Sequence, residues 1–325
     1  MFPNLSVDEQ ERVLRVLGGK YRIDESVVGH IESVLWSAMR QDDALGPQVV
    51  LDTVLAQRNL VRVVMADCPS SLRPRLLSLF ANLSRFAGWL SFDLSDLNGA
   101  AYFYEQARAA AHEAENTELG IFVLCNLSHL ATWRGQPRIG IDHAVAAGAW
   151  AQEIDDRLLR AYVADVAARA YASVGRHRAC LDALESIPAY LSGTDVHTPA
   201  TSLVYFYGPG QYAVSRARCL LLLHDAPGAL EAAHQAVRLV DPSFVRNHAF
   251  GMVHRGTAYL QAKEIEEAAR VIGQATDLAA HTRSARLVEL LLQSRRQFDP
   301  WQPTSAVKDL DEQLAAYGWG PSSIA

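Results

Sequence analysis

The side chains best suited to ligand chemistry in this sequence are charged residues that recur roughly every 40 residues. Arg85, Arg169 and Arg218 could each hold a carboxylate or phosphate through two parallel hydrogen bonds. His129 could add a further donor, and Asp165 lies one helical turn before Arg169, where it could pair with that arginine or receive a ligand amine. These residue types favour binding of a charged molecule over catalysis.

Aromatic residues occur in the same register and could pack against an apolar part of the ligand. The complete set of predicted ligand-binding residues is Asn82, Arg85, Trp89, Phe122, His129, Tyr162, Asp165, Arg169 and Arg218. The alternative is structural, because these side chains could instead satisfy one another across neighbouring helices.

Catalytic and metal-binding patterns are weak. The closest approach to a metal motif is His177 and Cys180, and it has no second half. No H-E-x-x-H, G-x-S-x-G, G-x-G-x-x-G or phosphate-binding loop pattern occurs in the sequence. We therefore predict no catalytic residues, no metal and no cofactor. A pathway enzyme remains the third hypothesis, with His129 beside Asp165 or a tyrosine as acid and base.

The elements that must position these residues follow from an internal repeat. Small residues that begin each unit lie 40, 40, 49 and 39 residues apart, at Gly88, Ser128, Ala168, Ala217 and Gly256. A turn residue follows each by seven positions, at Ser95, Gly135, Gly175, His224 and Lys263. Further small residues or Cys180 follow at Ala100, Gly140, Cys180, Ala229 and Ala268. This pattern lets antiparallel helices pack closely and stack in series.

The fold class predicted from the repeat is all-α, a right-handed α-solenoid of tetratricopeptide-like helical hairpins. In such an array the first helix of each pair lines the concave side. Positions six before, three before and one after the first small residue share one helical face. In the fourth unit that face holds Gln211, Val214 and Arg218.

Three regions are predicted. Residues 1–72 hold N-terminal helices and an extra hairpin, residues 73–283 the repeat array, and residues 284–325 the C-terminal capping helices. The capping segment carries an apolar stripe of Val307, Leu310, Leu314 and Tyr317 that must be covered. The 49-residue spacing indicates an insertion, read as a long loop at 188–209.

The composition of the chain limits the classes of partner that it is expected to bind. The 325 residues are 50 % hydrophobic and 20 % charged, with a net charge of −6. Specific DNA binding by this segment is not expected, because phosphate neutralisation needs clustered Lys and Arg. The sequence shows no signal peptide and no membrane-spanning run. Four widely spaced cysteines are typical of reduced core residues, so a cytoplasmic location is expected.

Six sequence strings carry a resemblance to a known family: Gln41-Asp-Asp-Ala-Leu-Gly-Pro47, Val50-Leu-Asp-Thr-Val-Leu-Ala-Gln-Arg58, Leu83-Ser-Arg-Phe-Ala-Gly-Trp-Leu90, Tyr102-Phe-Tyr-Glu-Gln-Ala107, Cys125-Asn-Leu-Ser-His-Leu-Ala131 and Asp241-Pro-Ser-Phe-Val-Arg-Asn247. Together they resemble the tetratricopeptide region of actinobacterial transcriptional regulators that carry an N-terminal Xre-type helix-turn-helix domain. The resemblance spans about residues 6 to 318, and the helix-turn-helix domain is absent from this sequence. It implies an array that senses a small molecule or peptide, or that mediates dimerisation.

The leading functional hypothesis is therefore a non-enzymatic regulatory module that senses a small molecule or peptide in its concave groove. The alternative is a stand-alone scaffold for a partner protein or for self-association.

Overall fold

The structure, a computed structural model, describes residues 23–192 and 201–320. It is all-α: no β-strand occurs in these two ranges. The helices are α1 (Glu25–Leu45), α2 (Leu51–Val64), α3 (Arg73–Asp93), α4 (Leu97–Glu113), α5 (Thr117–Trp133), α6 (Pro137–Ala151), α7 (Arg157–Ala172), α8 (His177–Leu191), α9 (Pro209–Leu222), α10 (Ala226–Leu239), α11 (Val245–Gln261), α12 (Ile265–Thr282), α13 (Ala285–Arg296) and α14 (Ser305–Ala316).

Helices α3 to α12 form five consecutive hairpins, so the predicted solenoid is confirmed. The five predicted turn residues all adopt the left-handed conformation, with φ of 62° at Ser95, 72° at Gly135, 68° at Gly175, 61° at His224 and 68° at Lys263. The amide after each turn residue donates to the carbonyl five residues back, as from Asp96 to Ser91 at 2.9 Å. This is the hydrogen bond that ends a helix on a left-handed residue.

Small residues bring the two helices of each hairpin together. A Cβ on Gly88 would lie 2.6 Å from the Tyr104 ring, and one on Gly256 would lie 2.6 Å from the Ile272 side chain. Side-chain caps then fix where helices start: Asp96 accepts from the Gly99 amide at 2.9 Å. Contacts between residues close in sequence therefore determine how the two helices of each hairpin align.

Successive first helices α3, α5, α7, α9 and α11 pack in series, and each second helix packs on the next hairpin, most loosely across the insertion after α8. The buried apolar side chains form consecutive clusters along the array. The concave side is therefore built from the first helices, as hairpin stacking requires.

The two N-terminal helices join the array at both of its ends. Helix α2 packs on α3, and α1 contacts α2 and α3 and also α11 and α12 near the other end of the chain. At the end of α1, Gly46 has φ of 89°, and its Cα lies so close to α12 that an added Cβ would stand 1.8 Å from the Thr282 carbonyl oxygen. The array therefore closes on itself.

Three of the four residues of the C-terminal stripe are covered within the chain, whereas the fourth, Tyr317, is 43 % exposed. Val307, Leu310 and Leu314 on α14 are buried in one cluster with Leu287 and Phe298, and α14 packs on α12. Arg295 links this cap to α13, donating to Asp311 Oδ2 at 2.7 Å and to Asp299 Oδ1 at 2.9 Å.

Two predicted segments lie partly or wholly outside the described residues. The helix expected near residues 6–17 falls outside them, as does the middle of the 188–209 loop. On the described side of that loop, α8 continues through Pro188 to Leu191. Within the described ranges no helix is both long and apolar enough to cross a membrane.

Candidate functional site

The concave side encloses a cavity of about 60 Å³ where α1, α3, α5, α7 and α11 meet. We call it the central cavity. Its lining combines charged residues with aromatic ones and consists of Met39, Asp42, Asp43, Arg85, Phe86, Trp89, Phe122, Asn126, His129, Tyr162, Arg169, Tyr205, Phe206, Gln211, Arg246 and Asn247. A space of this size holds a few water molecules or one small chemical group.

Arg85 is the unusual residue of the central cavity. Its side chain is 3 % exposed, and no carboxylate among the described residues lies within 4.0 Å of it. It donates to Asn82 Oδ1 at 2.8 and 3.2 Å and packs over the Phe122 ring at 5.1 Å. Burial lowers the pKa of Arg85 to about 10, so it stays charged at neutral pH. Arg85 thus makes no direct ion pair, and the two carboxylates that line the same cavity, Asp42 and Asp43, lie closer to Arg246.

A series of hydrogen-bonded polar side chains lies on the side of the central cavity formed by α5 and α7. Arg169 forms an ion pair with Asp165 at 2.7 Å and donates to His129 Nε2 at 3.0 Å. The Tyr162 hydroxyl lies 3.2 Å from the same nitrogen, and the Tyr207 hydroxyl donates to Asp165 at 3.1 Å. A guanidinium can only donate, so His129 Nε2 carries no proton.

The contacts of His129 and Asp165 concern the third hypothesis, in which these two residues would act as acid and base of an enzyme. Burial, together with Arg169, holds the pKa of His129 well below its usual range. The Arg169 guanidinium bonds to both His129 Nε2 and Asp165, and His129 makes no direct hydrogen bond with Asp165 in the structure. The described residues also contain no group of three metal-binding side chains. The arrangement is suited to holding a ligand.

An aromatic segment, Tyr205–Tyr207, covers one side of the central cavity. The Phe206 ring packs 6.2 Å from Phe122 and 5.3 Å from Tyr162. The Tyr205 hydroxyl donates to Asp43 on α1, while Tyr207 bonds to Asp165 on α7. This part of the insertion therefore bridges two distant helices over the cavity.

Buried ion pairs, which we call the closure cluster, hold the ends of the array together beside the cavity. Arg246 on α11 donates to Asp42 on α1 at 2.9 and 3.0 Å and to Asp93 on α3 at 3.1 Å. Asp93 also accepts from Arg286 at 3.0 and 3.1 Å and from Ser284 at 2.9 Å. Although burial alone would raise it, these guanidinium groups hold the pKa of Asp93 below its usual value.

Six of the nine predicted ligand-binding residues line the central cavity: Arg85, Trp89, Phe122, His129, Tyr162 and Arg169. Asn82 and Asp165 do not line the cavity but bond to residues that do: Asn82 accepts from Arg85, and Asp165 pairs with Arg169. Arg218 lies elsewhere, in a second cavity beside Trp133 and His254. The nine therefore do not form one site.

Sequence reasoning missed Asp42, Asp43 and Arg246, because only closure of the array brings α1 and α11 to the same cavity. It also passed over Asn126, which is 1 % exposed and whose Oδ1 has no hydrogen-bond partner in the structure. A signal was present: the strings that carry the family resemblance contain Asp42, Asp43, Asn126 and Arg246.

Asp43 gives the cavity a pH-dependent stability. Burial raises the pKa of Asp43 from 3.8 to about 7, despite Arg246 nearby. The folded state thus binds this proton more tightly than the unfolded state, and the contribution of Asp43 to stability falls as pH rises through that window. We expect Asp43→Asn to flatten the fall in unfolding free energy between these two pH values. Urea titrations at several pH values measure it.

The exposed Asp52 on α2 supplies the control, Asp52→Asn, which should leave the pH dependence as it is in the wild type. An unaltered slope in Asp43→Asn would show that this carboxyl is ionised in the folded protein throughout the window.

No protein-family profile and no curated protein matches the sequence. Among solved structures, the chain is similar to two crystal structures of nearly identical TPR-like repeats assigned to a kinesin light chain of Podospora anserina. One has a TM-score of 0.42 at 18 % identity, covering 65 % of this chain and 97 % of the other. The second has a TM-score of 0.41 at 18 % sequence identity, and the match covers 67 % of this chain and 100 % of the other.

TM-scores of this size say nothing about function. The fold is therefore assigned from the hairpins themselves. Those hairpins define the class: a tetratricopeptide-like α-solenoid, an architecture that binds partners along its concave surface.

Proposed function

We propose that this chain is a non-enzymatic regulatory module whose central cavity binds the anionic group of a small molecule or short peptide. The observation that carries the proposal is Arg85, a buried arginine with no carboxylate partner among the described residues. Leaving a buried charge uncompensated costs several kcal/mol. A carboxylate or phosphate supplied by a ligand would compensate it.

The remainder of the cavity fits a ligand with hydrogen-bond donors. Asn126 Oδ1 and Gln211 Oε1 are buried acceptors without partners, and both residues line the cavity. A buried polar atom without a partner destabilises a protein by about 1–3 kcal/mol. A ligand N–H or O–H would satisfy them, and the rings of Phe122, Tyr162 and Phe206 would cover an apolar part.

The regulatory part of the proposal rests on two supports. Four of the six strings that resemble Xre-type regulators contribute residues to the cavity: Asp42 and Asp43, Arg85 and Trp89, Asn126 and His129, Arg246 and Asn247. The cavity also adjoins the closure cluster, so a ligand would act on the contact between the two ends of the array. In a regulator of the kind resembled, that contact would carry the signal to a DNA-binding domain.

Replacing the cation tests the proposal. We expect Arg85→Met to leave the unfolding free energy unchanged or to raise it by up to about 2 kcal/mol, because an unpaired buried charge is removed. The same change should abolish the stabilisation that acetate, benzoate, phosphate or phenyl phosphate gives in thermal unfolding, when it is made in an Arg218→Gln background that also removes the arginine of the second cavity.

Two further variants sharpen the result. Asn82→Leu/Arg85→Met removes the donor and its acceptor together, and Arg108→Met removes an exposed arginine on α4 as the control. A loss of 3–5 kcal/mol in Arg85→Met would identify Arg85 as a structural ion. Anion stabilisation that survives in both Arg85 variants in the Arg218→Gln background would contradict the proposal outright.

A further inference from the structure

We infer that a second cavity, distinct from the central one, binds an organic carboxylate or phosphate ester through Arg218 and His254. This distal cavity has a volume of about 440 Å³ and lies between α5, α9, α11 and α13. It shares no lining residue with the central cavity. The inference therefore stands independently of the proposed function.

Arg218 supplies the charge. Its guanidinium has no hydrogen bond or ion pair with any described residue, and its nearest ring is Trp133, at 5.9 Å. Burial and then the neighbouring Arg169 lower the pKa of Arg218 to about 10, so it is still a cation at neutral pH. A planar guanidinium free on its hydrogen-bonding edges is suited to a carboxylate or phosphate.

His254 supplies a neutral donor beside it. The side chain is 5 % exposed, lines the cavity, and has no hydrogen bond to another described residue. Burial, with Arg218 and Arg169, lowers the pKa of His254 to about 3. The imidazole is thus neutral and can donate one N–H to an anion while adding no charge of its own.

Several other polar groups of the distal cavity are already engaged. Thr257 bonds to Ser294 at 2.9 Å, and Glu289 accepts from Gln293 at 3.2 Å. Glu289 is the one carboxylate in the lining, and it makes no ion pair with Arg218. The local charge near Arg218 is therefore positive, which selects an anion.

The size and walls of the cavity indicate an organic anion. A volume of about 440 Å³ falls in the range of small-molecule sites. Trp133, Leu222 and Leu290 provide apolar surface beside the charged end. The ligand class is therefore a small molecule with one carboxylate or phosphate group and an apolar body.

Isothermal titration with benzoate and with phenyl phosphate tests the inference, carried out on the full chain in the Arg85→Met background so that the central cavity does not respond. We expect one of the two probes to bind, and Arg218→Gln to weaken that binding by about tenfold or more. Arg216→Gln, on the same helix but two residues away and so facing another direction, should leave the affinity within about twofold.

The outcomes separate clearly. Binding of benzoate alone identifies a carboxylate ligand, and binding of phenyl phosphate alone a phosphate ester. Thermal unfolding monitors folding, and Arg218→Gln should be no less stable than the wild type because an unpaired cation is lost. If neither probe binds, or if Arg218→Gln binds like Arg216→Gln, the distal cavity is not an anion site. Neither result would affect Arg85 and the central cavity.

Discussion

Replacing Asp93 with alanine is expected to lower the free energy of unfolding by about 3–5 kcal/mol, because it leaves two buried guanidinium groups without their shared counter-ion. Asp93 is fully buried and accepts hydrogen bonds from Arg246, Arg286 and Ser284. Those residues lie on α11 and at the start of α13, so the same change should loosen closure of the array. Urea denaturation followed by circular dichroism measures the first effect, and small-angle scattering the second.

The surface ion pair between Arg73 and Glu113 provides a matched comparison, since its N–O distance is also 3.1 Å but both side chains are more than half exposed. Glu113→Ala should cost less than about 1 kcal/mol. Should Asp93→Ala cost no more than Glu113→Ala, the closure cluster would not be a buried ion network in solution.

Gly46→Ala should be the most damaging small substitution, with a loss of about 3 kcal/mol or more. The residue has φ of 89° and ψ of 174°, a region that is essentially restricted to glycine. An added Cβ would also stand 1.8 Å from the Thr282 carbonyl oxygen, so α1 and α12 would have to separate. Thermal unfolding measures the loss.

Gly135→Ala separates the two causes, since Gly135 has φ of 72° but open space around the missing Cβ. It should cost about 1–2 kcal/mol, the penalty of the left-handed conformation alone. Equal losses in the two variants would show that α1 and α12 do not approach each other as closely as the structure places them.

The hairpins could be predicted from sequence because their determinants are local. Each left-handed turn, such as those at Gly135 and Gly175, follows a small residue by a fixed number of positions, and short-range hydrogen bonds complete it. Such a pattern specifies a hairpin wherever the hairpin lies in space. The repeat could therefore give the register of the helices and the residues on their inner faces.

Closure of the array could not be predicted in this way. It depends on contacts between residues about 200 positions apart, such as Asp42 and Arg246. Nothing in the local pattern of α1 specifies that it crosses to α11.

The placement of Arg218 shows a related limit. It holds the register position that Trp89, His129 and Arg169 hold in earlier units, yet it lines the distal cavity, as does Thr257 in the next unit. Stacked hairpins rotate progressively, so one register position faces different directions along the array. A face deduced from one unit therefore cannot be extended through all five.

An anion site at the central cavity is tested most directly by native mass spectrometry of the chain after incubation with phenyl phosphate and with benzoate. We expect a bound anion on the wild type and on Arg108→Met. We expect the central-cavity anion to be lost from Arg85→Met in an Arg218→Gln background, where the distal site is also removed. Equal occupancy with and without Arg85 in that background, or an unoccupied wild type, would contradict an anion site at the central cavity.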